Sequence, residues 1–311
     1  MASFCSLIVI TLFFAAVFLM NPAAAAADPP STPVYSRIIS LYAAHTENLI
    51  TLGAGECLIG IDRQSVHLKG AAGKPVFSYH DDPERFLAAR PDLVLIRPMI
   101  ERGYPQLVAR LEKSGIRVVS LQPTAVDQLA GYWRYLGALS GRAVRADAMV
   151  RSFENAVAEF NALSAAVSSP KRVYFEAMHA QMKTFTPGAM AIFALETAGG
   201  INVAADAPIR AENNIAIYGK ERLLSHGPAI DVFLFQHGTM NPVSTEMILA
   251  EPGFGVIAAV NTRQVFPVDE AIVSRPTLRL LQGIYQIGCI LYPETWCKAG
   301  KKILLDAGVG E

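Results

Sequence analysis

Residues 37–141 alternate between short apolar runs and longer segments in which apolar and polar residues mix. The pattern predicts strands over 37–41, 57–61, 93–96 and 116–121. It predicts helices over 49–52, 82–90, 104–113 and 126–139. Asp82 is the expected cap of the second helix, with Pro83 at its first helical position. Strands alternating with helices indicate an α/β fold, with a parallel sheet covered on both faces.

A second alternation of the same kind follows residue 170. Strands are expected over 172–176, 232–235 and 265–268, and helices over 189–198, 220–227 and 280–291. The chain of 311 residues is long enough for two cores of ordinary size.

One long amphipathic helix, predicted over 142–167, separates the two alternations. Met149, Phe153, Val157 and Phe160 recur at spacings of three or four, which places them on one helix face. The Pro at position 170 ends the pattern. Two interpretations stay open here: a spacer between two α/β lobes, or one more surface helix of a continuous doubly wound domain.

The N-terminus has the features of an export signal. Residues 4–20 are apolar, and small residues follow as far as Ala27, which predicts a signal peptide over 1–27 and cleavage near Ala27. No Lys or Arg precedes the apolar run, so a retained anchor is the alternative. The exported chain would keep Cys57, Cys289 and Cys297. Cys289 and Cys297 either form a disulfide or are two small buried residues, and we favour buried residues.

Charge and motifs narrow the classes of function. The 27 basic and 27 acidic residues balance, so the chain lacks the basic excess of a nucleic-acid-binding protein. Its six histidines show no H-x-H, H-x3-H or H-E-x-x-H spacing. No G-x-S-x-G or phosphate-binding loop is present either. We therefore expect no catalytic residues, no metal ligands and no cofactor.

Four segments resemble one protein family. Residues 84–95, ERFLAARPDLVL, resemble the E-x-I-L-A-L-x-P-D-L-V-L segment of periplasmic substrate-binding proteins that serve ABC importers of ferric siderophores, haem and cobalamin. Residues 37–55 resemble the family's first strand and helix. Residues 199–202 and 275–279 resemble its A-G-G-E-N turn and its R-P-G-P-R motif, with departures at Ile201, Thr277 and Leu278.

The resemblance spans residues 34–293 and implies the helical-backbone class III fold. That fold has two Rossmann-like lobes with parallel sheets, joined by one long backbone helix, and a ligand cleft between the lobes. Residues 28–141 would form the first lobe, 142–167 the interlobe helix and 168–311 the second lobe. The resemblance thus favours the spacer interpretation of the helix.

The implied function is capture of an iron-siderophore or cobalamin-type metal chelate in the periplasm. A monomer would then deliver the chelate to an ABC permease in the inner membrane. Such a protein breaks no bond, so it is not an enzyme. The alternatives are a haem or bare transition-metal binding protein of the same fold, or a two-lobed enzyme with a metal or cofactor between its lobes.

Ligand contacts are expected on the loops that follow the strands, because ligands of such sheets lie beyond the carboxyl ends of strands. A bulky chelate needs aromatic faces and a few cations or hydrogen-bond donors. Arg97 is the foremost candidate, as a cation for carboxylate or hydroxamate oxygens. The candidates are Tyr42, His45, Tyr79, His80, Arg97, Tyr104, His179, Lys183, Phe185 and His237.

Two acidic residues are candidates for docking onto the permease. Glu84 and Glu221 each open a predicted helix, one in each lobe. By the resemblance, both match the family's acidic residues that contact permease arginines. The alternative is that each is an ordinary acid of a first helical turn, stabilised by the helix dipole.

Overall fold

Four strands in the first half of the chain form a fully parallel sheet. The structure is a computed structural model that describes residues 33–208 and 214–309. The strands are β1 Ile38–Ser40, β2 Leu58–Ile61, β3 Leu93–Ile96 and β4 Arg117–Ser120. They lie in the order β2-β1-β3-β4, and each neighbouring pair is parallel. These four predicted strands and their parallel arrangement are confirmed.

Five helices accompany this sheet, and two of them differ from the prediction. They are α1 Ala43–Thr51, α2 Pro83–Ala89, α3 Pro98–Gly103, α4 Pro105–Lys113 and α5 Leu129–Leu139. The helix expected over 49–52 begins six residues earlier, directly after Tyr42, and α3 was not predicted. Asp82 caps α2 as expected, since its carboxylate accepts a hydrogen bond of 2.8 Å from the Glu84 amide.

The second half of the chain forms a mixed six-stranded sheet. Its strands are β5 Arg172–Met178, β6 Lys183–Phe185, β7 Ile201–Asn202, β8 Ile215–Ile217, β9 Val232–His237 and β10 Val265–Asp269. The order is β10-β9-β5-β6-β8, with β7 paired to β5. The prediction of parallel strands holds for the pairings of β5 with β7 and β9, and of β9 with β10. β6 and β8 instead run antiparallel to their neighbours, because only four residues join β5 to β6, too few for a crossover.

A helix of 23 residues, α6 Ala143–Ala165, follows the first sheet and precedes the second. At 1.5 Å per residue it is about 35 Å long. Phe153 packs edge-on against Trp133 of α5, with ring centres 5.2 Å apart. Further along, Phe160 stacks on Trp296 at 5.6 Å. The helix therefore contacts elements from both halves of the chain.

Seven further helices accompany the second sheet. They are α7 Met190–Thr197, α8 Lys220–His226, α9 Thr245–Ala250, α10 Ala258–Asn261, α11 Glu270–Val273, α12 Leu280–Leu291 and α13 Pro293–Asp306. Four of them, α9, α10, α11 and α13, were not predicted. α12 matches its predicted bounds, and Trp296 of α13 is fully buried against α6. The chain thus has two α/β lobes and one long helix between them. The lobe boundaries at 141/142 and 167/168 stay a prediction.

One hydrophobic cluster spans both lobes, and each lobe has a further cluster of its own. A single cluster of buried apolar side chains includes Ile38 and Leu95 of the first sheet together with Phe175 and Leu234 of the second. The described residues accordingly belong to one compact unit.

The cysteines correct one expectation. Cys289 of α12 and Cys297 of α13 form a disulfide, with Cα atoms 5.0 Å apart, so the preference for two separate buried residues was wrong. Cys57 is a free, partly exposed thiol. Within residues 33–208 and 214–309, no helix has both the length and the apolar character needed to cross a membrane. The predicted signal over 1–27 lies outside the described residues.

Candidate functional site

A pocket of about 610 Å³ opens at the carboxyl ends of the first-lobe strands. Tyr42 follows β1, Asp62 follows β2 and Arg97 follows β3, and all three line the pocket. The expectation that ligand contacts follow the strands is thus met by Tyr42 and Arg97. Asp62, which follows β2, was not among the predicted contacts. The remaining lining residues come mostly from the segments after β2 and before α2: Leu41, Arg63, Gln64, Val76, Phe77, Ser78, Tyr79, Asp81 and Arg85.

Arg97 stacks on Tyr42 inside this pocket. The guanidinium carbon lies 4.6 Å from the centre of the phenol ring, a cation–π contact. The buried Nε atom of Arg97 has no hydrogen-bond partner among the described residues. Burial raises the pKa of Tyr42, and the charges of Arg97 and Arg275 act against that rise. The pocket therefore presents a neutral phenol beside a cation with unused hydrogen-bonding capacity.

A cluster of three aromatic residues adjoins the pocket through Tyr79. The Tyr79 ring lies 4.4 Å from the His80 ring and 4.8 Å from the Tyr104 ring, centre to centre. The Tyr104 hydroxyl and His80 Nδ1 are 3.0 Å apart and share a hydrogen bond. Of the three, Tyr79 lines the pocket directly. The structure thus brings together five of the ten predicted ligand contacts.

Two charged residues of the second lobe, Arg275 and Glu270, were not predicted as contacts, and the charge of Arg275 acts on two residues of the pocket. Burial raises the pKa of Asp62, and the positive charge of Arg275 opposes this, as it also does at Tyr42. The Arg275 guanidinium lies 3.8 Å from Glu270, and its buried Nη1 atom has no hydrogen-bond partner within the described chain. From the sequence, Arg275 is recognised only as part of a family motif. Glu270 directly follows the end of β10, so the strand-end rule is able to identify it as a candidate.

His45 and Phe185 lie in the interior. His45 is fully buried, with Nδ1 2.7 Å from the Tyr132 hydroxyl and Nε2 3.1 Å from the Ile96 carbonyl oxygen. Burial lowers the pKa of His45 to about 4, so its ring is neutral near pH 7. Phe185 packs against Phe175 in the core. Neither side chain presents a surface to the pocket.

His179 belongs to a separate charged cluster. Its Nδ1 atom lies 3.0 Å from the buried carboxylate of Glu176, and its Nε2 atom lies 3.5 Å from Glu251. The Nζ atom of Lys220 lies 2.5 Å from that same Glu251. The hydrogen bond to Glu176 raises the pKa of His179, and burial raises the pKa of Glu176. The structure does not bring this cluster into the pocket.

The other two candidates lie away from the pocket as well. His237 is exposed at the end of β9, and its Nδ1 atom lies 3.0 Å from the Val243 carbonyl oxygen. Lys183 is half-buried at the start of β6. Their contact with a ligand stays a prediction.

The aspartates near His80 are engaged in local structure. Asp82 caps α2, and Asp81 accepts hydrogen bonds from the Ser78 amide at 2.8 Å and from Arg85 at 2.6 Å. Among the described residues, no group of three His, Cys, Asp or Glu side chains has a metal-binding arrangement.

Glu84 and Glu221 are both exposed in the first turns of their helices, α2 and α8. Glu84 pairs with Arg110 of α4 at 2.6 Å. Because both side chains of this pair are largely exposed, the pair adds little to stability and leaves Glu84 accessible.

Comparison with known proteins identifies the family to which this chain belongs. A family model described as "Periplasmic binding protein" matches residues 38–271. The vitamin B12-binding protein of Vibrio cholerae is 23% identical over 283 residues, which cover 90% of this chain and 96% of that protein. An uncharacterized ABC transporter substrate-binding lipoprotein of Bacillus subtilis is 22% identical over 84% of this chain and 81% of that protein.

Solved structures show the same fold at low identity. A possible iron-binding periplasmic protein of Staphylococcus epidermidis superposes with a TM-score of 0.72, at 24% identity, and covers 84% of this chain and 100% of that one. The periplasmic haem-binding protein of Roseiflexus gives 0.69, at 21% identity, and covers 85% and 99%. At such identities the likeness concerns the fold alone.

Proposed function

The chain belongs to the periplasmic binding protein family, and we propose that it captures a metal chelate of the iron-siderophore or cobalamin type for an ABC importer. Members of this family bind solutes and are not enzymes. The chain is exported, binds the chelate between its lobes as a monomer, and passes it to a permease in the inner membrane. The vitamin B12-binding relative of Vibrio cholerae supports this class of ligand.

One observation carries the proposal: Arg97 lies on the Tyr42 ring with its Nε atom buried and unpartnered among the described residues. A buried polar group without a partner costs free energy, which a ligand oxygen would recover. The aromatic side chains of Tyr42, Phe77 and Tyr79 line the pocket and suit the organic part of a chelate. The pocket favours ligands that combine acidic oxygens with a flat or apolar body.

Delivery to the permease would use Glu84 and Glu221. Each is an exposed carboxylate, and one lies on each lobe. Complementary charges on the permease would fix orientation and raise the association rate. The distance between the two carboxylates depends on the relative position of the lobes, so a partner that binds both carboxylates distinguishes one lobe arrangement from another.

The test is a calorimetric titration in which each probe is added to the protein that lacks residues 1–27. The probes are haemin, cyanocobalamin, a ferric trihydroxamate, a ferric tricatecholate, and the free ions Fe(III), Zn(II) and Ni(II). We expect sub-micromolar binding of one chelate and no response to the free ions. Binding of a free ion alone would overturn the proposal, and so would turnover of a bound chelate.

A further inference from the structure

A directed chain of buried hydrogen bonds crosses from the first lobe to the second. The Asn48 amide nitrogen donates to the Pro276 carbonyl oxygen at 2.9 Å and to the Tyr132 hydroxyl at 3.2 Å. The Tyr132 hydroxyl then donates to His45 Nδ1 at 2.7 Å, and His45 Nε2 donates to the Ile96 carbonyl oxygen at 3.1 Å.

The chemistry of the two ends dictates this direction. Both terminal groups are carbonyl oxygens, which only accept hydrogen bonds. The Asn48 nitrogen must therefore face Pro276, and the proton of neutral His45 must be on Nε2. His45, Asn48 and Tyr132 are all buried, so water cannot replace a missing member.

The second-lobe end of the chain belongs to a short segment, residues 275–279, that we call the strap. Trp133 of α5 donates a further hydrogen bond of 3.2 Å to the Pro276 carbonyl oxygen. Arg279 makes a two-pronged ion pair with Glu47 of α1, at 2.7 and 2.5 Å. Bidentate pairs of this kind fix geometry as well as charge. The strap is thus bound to two helices of the first lobe.

Each end of the hydrogen-bond chain lies next to an arginine in the sequence, and one of the two, Arg97, lines the pocket. Ile96 directly precedes Arg97, and Pro276 directly follows Arg275. Arg97 stacks on Tyr42, and the charge of Arg275 acts on Tyr42 and Asp62. One connected set of buried bonds therefore joins the backbones that carry both cations.

We infer that His45, Tyr132 and Asn48, with the Glu47–Arg279 ion pair, are positioning residues that set the distance between Arg97 of one lobe and Arg275 of the other. The inference builds on the proposed function, since a fixed pair of cations selects ligands by the separation of their acidic oxygens. These positioning residues touch no ligand themselves. Hydrogen bonds buried in the low-dielectric interior are strong, so this series of bonds favours one arrangement of the groups that it joins.

The test removes one oxygen from the chain. Tyr132→Phe keeps the ring and deletes the hydroxyl that links His45 to Asn48. Tyr135→Phe, on the same helix but at an exposed position, is the matched control. Spin labels on Lys113→Cys in α4 and Glu246→Cys in α9, in a Cys57→Ser background, report the distance between the lobes without any ligand.

We expect a broadened and shifted distance distribution in Tyr132→Phe and an unchanged one in Tyr135→Phe. The indole ¹⁵N–¹H resonance of Trp133 should move in the first variant only. An unchanged distribution and an unchanged indole resonance in folded Tyr132→Phe would overturn the inference. A purely structural role would lower the unfolding temperature without moving either readout.

A second variant guards against misfolding of the first. Glu47→Gln breaks the strap's ion pair at a partly exposed site, and Asp147→Asn breaks the exposed Arg134–Asp147 pair, which does not involve the strap. We expect broadening in Glu47→Gln alone; equal distributions in both would count against the strap. Titrations of the same variants with cyanocobalamin, the ferric trihydroxamate and the ferric tricatecholate separate the two proposals: a shifted distance without binding of any of these probes leaves the positioning intact and counts against the proposed ligands.

Discussion

The guanidinium group of Arg97 lies on the face of the Tyr42 phenol, 4.6 Å from the ring centre, where β1 and β3 both end. Parallel neighbouring strands make this contact possible, because their carboxyl ends reach the same edge of the sheet. The Nε atom of Arg97 is buried without a hydrogen-bond partner among the described residues, so it is free to bind a ligand oxygen.

Replacing Arg97 with Met should weaken chelate binding about 10- to 100-fold, as expected for the loss of a hydrogen bond to a charged group. The apolar stem of Met keeps contact with Tyr42, so stability should change little. Calorimetry with the best probe of the panel measures the effect. Arg117→Met, at the opposite end of β4, is the control and should bind as wild type. Equal affinity of the two variants would exclude Arg97 from the site.

Replacing both Glu84 and Glu221 with Ala should reduce transport about tenfold or more and leave chelate affinity unchanged, because both carboxylates are exposed and neither lines the pocket. Uptake by the cognate permease in proteoliposomes measures transport. Glu112→Ala removes an exposed acid of α4 and should transport normally. A drop in chelate affinity in the double variant would contradict the docking role.

His45 should make the protein sensitive to acid. The unfolded chain takes up a proton at His45 near pH 6.5, whereas burial lowers the pKa in the folded protein to about 4. The free energy of unfolding should therefore fall as the pH drops from 6.5 to 4, by about 3 kcal/mol from this residue alone. Urea denaturation at several pH values measures the slope. His45→Gln should have a smaller slope over the same window, and an equal slope would refute the assignment.

The Cys289–Cys297 disulfide should stabilise the fold by about 2 to 3 kcal/mol, the value for closing a loop of this size in the unfolded chain. Replacing both cysteines with Ser, or reducing the bond, should lower the urea midpoint accordingly. Cys57→Ser is the control, because its thiol is free. A midpoint that does not respond to reduction would show that the bond adds no stability.

Local sequence patterns predicted most strands and helices but misplaced the start of α1. His45, Thr46 and Asn48 are polar, so the segment resembled a loop, yet all three are buried and hydrogen-bonded inside the protein. Their partners lie as far away as Pro276, and no local pattern reveals such partners. Helix α1 begins at Ala43, and the N-cap residue Tyr42 makes no side-chain capping hydrogen bond, so the usual start signal is absent.

The candidate site was predicted in part for a related reason. The strand-end rule identifies loops at the rim, and it found Tyr42 and Arg97, whereas Tyr79 was found by the position of its loop before a helix start. The rule does not state which way a side chain points, and Phe185 points into the core. The strap that carries Arg275 is bound to the first lobe by contacts between residues more than 200 positions apart, which no local pattern reveals.

The hydrophobic cluster that spans both lobes limits how new binding specificities can arise. With Ile38 and Phe175 in the same apolar cluster, a lobe taken from a relative would meet a mismatched surface over its whole inner side. Chimaeras that exchange one lobe should therefore misfold, whereas grafting single loops such as residues 76–81 should succeed. A biosensor based on this protein would therefore keep both lobes as the scaffold and vary only the loops that line the pocket.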